Sequence, residues 1–160
     1  MNKRITLTVL TIVAIAAVIA LGGAPLNARG QGYKTVNQLA GSWEVTVMPS
    51  GGGHIIDYVS FTEGGGITNI DPDPNLSAGI GTWERLGSNR FANTFVHFLS
   101  DNGTPIGTLK VRAEVTYDSK TDTFSGPFRT DVVIGGNVVD SICGTVELTR
   151  LSVEPLEACP

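Results

Sequence analysis

The polar groups best placed to do chemistry stand in the stretch RFANTFVHFLS, Arg90 to Ser100. In an extended chain Phe91, Asn93, Phe95, His97 and Leu99 share one face, while Ala92, Thr94, Val96 and Phe98 share the other. If the first set faces a cavity, Asn93 and His97 put two polar groups into an otherwise apolar wall, the usual make-up of a small-molecule site. If the second set does, His97 is a hydrogen-bonded or surface residue, the commoner fate of a lone histidine. Both faces are apolar enough to be inside.

A second stretch, HIIDYVSFTE, alternates Asp57, Val59, Phe61 and Glu63 with Ile56, Tyr58, Ser60 and Thr62. A carboxylate turned into a core would have a raised pKa and could act as a general acid or base. The plainer reading, which we favour, leaves Asp57 and Glu63 at strand ends in water. Glu84 and Arg85, beside Trp83, read as a solvated pair, although strict alternation sends one of them inward.

Other candidate motifs are incomplete. DPDPNLS, Asp71 to Ser77, sets Asp71, Asp73 and Asn75 at alternate positions like the opening of a calcium loop. It lacks the glycine of the sharp turn, has Thr82 where the bidentate glutamate would stand, and carries Pro72 and Pro74. It reads as a surface loop at the mouth of the fold. The two histidines are His54 and His97, the first in a glycine loop, which argues against a dedicated zinc site. No serine sits in a nucleophile elbow. Gly51 to Gly53 and Gly64 to Gly66 lack the Lys-Ser or Lys-Thr of a phosphate cradle. The sequence thus implies no metal, nucleotide or other cofactor, and no catalytic residue is assigned.

What must position these groups is a set of short strands. TLKVRAEVTYD puts Leu109, Val111, Ala113, Val115 and Tyr117 on a core face, with Lys110, Arg112, Glu114 and Thr116 toward water. The turn DSKTD, Asp118 to Asp122, leads into TFSGPFRTDVVI. The turn GGN, Gly135 to Asn137, leads on into VVDSICGTVELTRL, where Ile142, Val146 and Leu148 oppose Thr145, Glu147 and Thr149. With GSWEVTVM, IIDYVSFTE, ITNI, AGIGTWERL and RFANTFVHFLS the count is about eight. The spacing predicts an all-β fold. Antiparallel strands of that number with short links hide both sheet edges by closing into an up-and-down barrel, and an open sandwich is the alternative. YKTVNQL, Tyr33 to Leu39, has room for one helical turn before the first strand.

The chain's start reads as an address. Lys3 and Arg4 precede an apolar run from Ile5 to Leu21 and then Gly22, Gly23, Ala24 and Pro25, the order of a secretory signal. Residues 1–28 are expected to be removed after Ala28, and an uncleaved anchor is the alternative. Their loss leaves 9 basic against 15 acidic residues, a net charge of about −6, with no basic run for nucleic acid or anionic lipid. The remaining ~130 residues suffice for one domain with a real core, residues 33–152, followed by a tail, 153–160. The expected location is secreted or periplasmic, with no membrane insertion once the signal is gone. Cys143 and Cys159 fit such an oxidising compartment and would tie the tail to the last strand; two free thiols are the alternative.

One helical turn, then Gly41-Ser42-Trp43 opening the first strand, then a meander of about eight strands resembles the lipocalins and the wider calycin superfamily. The resemblance implies that Trp43 plugs the closed end of the barrel and that an arginine late in the last strand, Arg150 of ELTRL, packs across its ring, a contact of ~1 to 2 kcal/mol where partly desolvated. Gly41 permits the close packing beneath it. The family's second motif, of Thr-Asp-Tyr type, is not evident. The long segment from Gly81 to Gly126 is most similar to small secreted calycin-like proteins of bacteria, and less so to allene oxide cyclase-type barrels. GTWE at Gly81 to Glu84 echoes GSWE at Gly41 to Glu44, too short a match to establish a half-barrel repeat.

The function expected on this reading is binding of a small apolar ligand in the barrel, lined by Phe91, Asn93, Phe95, His97, Tyr58 and Trp83. A cyclase or isomerase using Tyr58, Glu84 or His97 is a second reading. An interaction protein with a filled core is a third.

Overall fold

The computed structural model describes residues 38–157. Residues 1–28, expected to be a secretory signal, most of the expected helical turn from Tyr33, and Cys159 lie outside the described residues; Gln38 and Leu39 form a turn. Eight strands follow: β1 Gly41–Pro49, β2 Ile55–Phe61, β3 Gly66–Ile70, β4 Gly79–Arg85, β5 Arg90–Asp101, β6 Thr104–Asp118, β7 Thr123–Ile134 and β8 Asn137–Arg150. Each pairs antiparallel with the next, and β8 returns to β1, so the sheet is a closed up-and-down barrel without a free edge.

Period-two patterning explains the walls. Along β2 Asp57, Val59 and Phe61 are buried while Ile56, Tyr58 and Ser60 are exposed. Cross-strand partners share a face, so Val45 opposite Asp57, Val59 opposite Asn69 and Phe91 opposite Val115 carry one inner surface around the barrel. On the outside, the Asp131 carboxylate accepts from Arg112, Arg129 and Ser141, lacing β6, β7 and β8 together. The Arg129 guanidinium holds its pKa down at about 2, with help from the Ser141 hydroxyl.

One end of the barrel is plugged by aromatic rings. Trp43, Phe91 and Phe124 are wholly buried. Trp43 meets Phe124 edge-on at 5.0 Å, Phe124 meets Phe91 at 5.5 Å, and Phe91 meets Trp83 at 6.0 Å. Such contacts add to the burial of their large surfaces. Both indole N–H groups are satisfied, Trp43 donating to Leu39 O at 2.9 Å and Trp83 to Thr62 O at 3.0 Å. Arg150, directly across from Trp43 in the β1–β8 ladder, lays its guanidinium 4.0 Å from the indole centre. The same guanidinium donates to Gln38 O and Ala40 O, clamping the chain's entry into β1. Gly41 sits at φ +126°, and a Cβ there would stand 2.9 Å from Arg150 Nη1, so glycine is required where the arginine crosses.

Candidate functional site

The aromatic floor leaves the other half of the barrel hollow. A cavity of about 160 Å³ opens at the far end, walled by apolar side chains such as Val45, Val59, Phe95, Val111 and Leu148. The DPDPNLS loop folds over its rim: Asp71 and Leu76 line the mouth, Ser100 N–H donates to Asn75 O, and Ser77 N–H donates to Phe98 O. Asp71 and Asp73 accept backbone N–H groups of the loop itself, each at 2.8 Å. Among the described residues no group of three or more His, Cys, Asp and Glu could hold a metal ion.

Within the cavity Asp57, Asn69, Asp71 and His97 gather toward the mouth. Asp57 is 6% exposed and comes from β2 with its side chain inward. Its Oδ1 accepts Tyr58 N–H at 2.8 Å and its Oδ2 accepts Asn69 Nδ2–H at 2.6 Å. Burial pushes its pKa up to about 6. The neighbouring Asp71 adds to the rise, while the Asn69 and Tyr58 hydrogen bonds and His97 oppose it. The expectation that Asp57 lies in water is therefore corrected: its register opposite Val45 turns it into the barrel. Glu63, by contrast, is exposed in the turn after β2.

His97 is 2% exposed and reaches the same region from β5. Its Nδ1 lies 2.7 Å from Ser77 O, and a carbonyl only accepts, so Nδ1 carries the proton and Nε2 is the ring's remaining nitrogen. Its Cε1–Nε2 edge packs where a side chain at Gly79 would otherwise stand; a Cβ there would meet those atoms at 2.8 and 2.9 Å. Asn69 is directly opposite Gly79 on the neighbouring strand, so the missing side chain brings the β3 and β5 groups toward each other. Asn93 also faces inward, nearer the floor, and its Oδ1 is buried without a partner, as is Asn69 Oδ1.

The residues named from sequence fall into three places. Asn93, Phe95 and His97 line the cavity. Phe91 and Trp83 are buried but belong to the aromatic floor, so they close the cavity from below instead of walling it. Tyr58 is 44% exposed on the outer face, where its hydroxyl donates to Glu44 at 3.3 Å, and it cannot touch a ligand inside. Glu84 is exposed too, which removes both it and Tyr58 from any proton-transfer scheme in the barrel. Arg85 shares Trp83's side of β4 but leaves the barrel at the strand end, its guanidinium 5.5 Å from the Phe91 ring centre. Cys143 is exposed on β8, and the described residues contain no disulfide. Asn69 is a cavity residue that stands outside the sequence candidates. The signal for it was present: Ile67 and Asn69 share a face of a five-residue strand, and Ile67 is core.

Neither a protein-family model nor a curated protein matches the chain. Among solved structures it is similar to the one described as EF1p2_mFAP2b bound to DFHBI. The two share 16% identity at a TM-score of 0.52, over 72% of this chain and 96% of that one. At that identity the likeness speaks to fold alone.

Proposed function

We propose that this chain is an exported, calycin-like barrel that binds a small, largely apolar molecule. The observation that carries the reading is the cavity of about 160 Å³, apolar in its walls and open at one end, with its polar groups few and convergent. An apolar cavity on the order of 150 Å³ is enough to hold a benzene-sized molecule. A filled core would leave no such space, so the interaction-protein reading loses its premise. That a barrel of similar fold is described bound to DFHBI is in keeping with a small molecule inside this one. The Gly41, Trp43 and Arg150 cluster supports the calycin kinship, and Lys3, Arg4 and the apolar run to Leu21 support export to the periplasm or medium.

One observation favours a second reading, proton-transfer catalysis of cyclase or isomerase type. Asp57, and not Tyr58 or Glu84, supplies a buried carboxyl that titrates at about 6, close to the working range of a general acid or base. Native mass spectrometry of the protein purified as its cell processes it, followed by solvent extraction, tests the binding reading. An apolar adduct at one to one is expected. A clean apo mass, together with no thermal shift across fatty acids, terpenoids and aromatic hydrocarbons, overturns it. Turnover of an extracted compound that stops on Asp57→Asn selects the catalytic reading.

A further inference from the structure

The polar side of the cavity is one-sided in its chemistry. Among the described residues its lining includes two carboxylates, Asp57 and Asp71, and neither lysine nor arginine. Lys110, Arg112 and Arg129 lie on the strands around it, but their side chains are on the outer face. Asn69 is 2% exposed; its amide nitrogen is committed to Asp57, which fixes its Oδ1 as an acceptor, and that oxygen has no partner. His97 spends its N–H on Ser77 O. Asp57 accepts one hydrogen bond on each oxygen and keeps a lone pair on each. Around Asp57 and Asn69 acceptors therefore outnumber donors, and the cavity's other polar side chains are the Asn93 amide and the Thr130 hydroxyl.

We infer that the cavity's ligand is a small protonated amine with an apolar body, its ammonium seated against Asp57 and Asn69 Oδ1 and its body lying toward the aromatic floor. The inference rests on the reading of the cavity as a binding site and names the class of molecule it takes. An ammonium brings three donors and a positive charge, and so answers both the orphan oxygen and the uncompensated carboxylates. A carboxylate ligand would face Asp57 and Asp71 with no cation to offset them. A hydrocarbon would leave the acceptors unmet.

Among the described residues lining the cavity, Asp57, Asp71 and His97 carry ionisable side chains, from β2, the β3–β4 loop and β5 respectively; β1, β4, β6, β7 and β8 turn none into it. Acidification neutralises Asp57 through its pKa of about 6, which weakens amine binding.

The test uses four probes sharing one benzyl body: benzylamine, benzyl alcohol, toluene and phenylacetate. Each is titrated by NMR into the protein as its cell processes it, at pH 7.5 and pH 5. Benzylamine is expected to bind about tenfold tighter than toluene at pH 7.5, with phenylacetate weakest, and to lose most of that margin at pH 5. Asp57→Asn should remove the margin of benzylamine over toluene at pH 7.5. Should that variant fail to fold, the Asp57 carboxyl signal of the parent is followed by NMR across the same pH range: a margin that falls with that signal supports the inference, and one that does not overturns it. Benzylamine binding no tighter than toluene, or a margin that is equal at both pH values, overturns the amine inference while the apolar-cavity reading stands. Failure of all four to bind overturns both.

Discussion

Asp57 is the residue at which stability and function pull apart. Its folded-state pKa of about 6 lies above the ordinary 3.8, so the fold holds the proton more tightly than the unfolded chain does. The stability this gives is fully present below pH 3.8 and is lost as pH rises through 6, amounting to about 3 kcal/mol above that range. Asp57→Asn cannot ionise. Compared with the parent, it is expected to gain about 2 kcal/mol of relative stability between pH 4 and pH 8, read from paired denaturant melts. A stability difference that is flat with pH would show that the carboxyl is not held in the cavity. Trp43 is the opposite case, since nothing about it titrates and everything about it is packing. Wholly buried, capped by Arg150 and satisfied through Leu39 O, it should cost ~3 to 5 kcal/mol when replaced by alanine. A loss under about 1 kcal/mol in a chemical melt would mean that the floor does not depend on it.

At the scale of elements, the inner face of β5 is chosen by one residue outside it. The β5–β6 turn pairs Asp101 with Thr104 and Ser100 with Pro105, but the next pair is Leu99 with Gly107, so Ile106 is left without a partner. That bulge shifts the register by one. With it, Phe91, Asn93, Phe95 and His97 oppose Val115, Ala113, Val111 and Leu109, the inner residues of β6. Without it, Ala92, Thr94, Val96 and Phe98 would take that face, because a slip of one residue exchanges the two sides of a strand. Deleting Ile106 is therefore expected to drive His97 and Asn93 outward and to abolish a single cooperative thermal transition. A deletion variant that melts like the parent would show that β5 is not held by this register. The same residue explains what the sequence could and could not disclose. The strands, their antiparallel order and the closed barrel were legible from alternation and turns, as was the inner face of β6, where charged residues mark the other side. The two faces of β5 are both apolar, with Phe98 left 64% exposed outside, so composition could not choose between them. Asp57 was misplaced for a related reason. The loop from Ser50 to His54 is rich in glycine and does not announce the register in which β2 meets β1.

At the scale of the whole molecule, closure of the barrel leaves the C-terminal tail to be secured. Leu151 to Glu157 continue past β8 as exposed chain. The nine residues from Leu151 to Cys159 can span ~30 Å when extended. Cys143 is exposed on β8 and lies seven residues before Arg150, ~23 Å back along the strand. A tail that turns back can therefore reach it, and in an oxidising compartment the pair is expected to bridge. A loop of this size contributes ~3 kcal/mol, or roughly 10 °C of Tm for a domain of this length. The check is direct: intact mass before and after reduction should differ by two hydrogens, and reductant should lower the Tm of the parent but not of Cys143→Ser. Both thiols alkylating in the untreated protein, with a Tm indifferent to reductant, would show that the tail is free and that the barrel's own closure carries the stability.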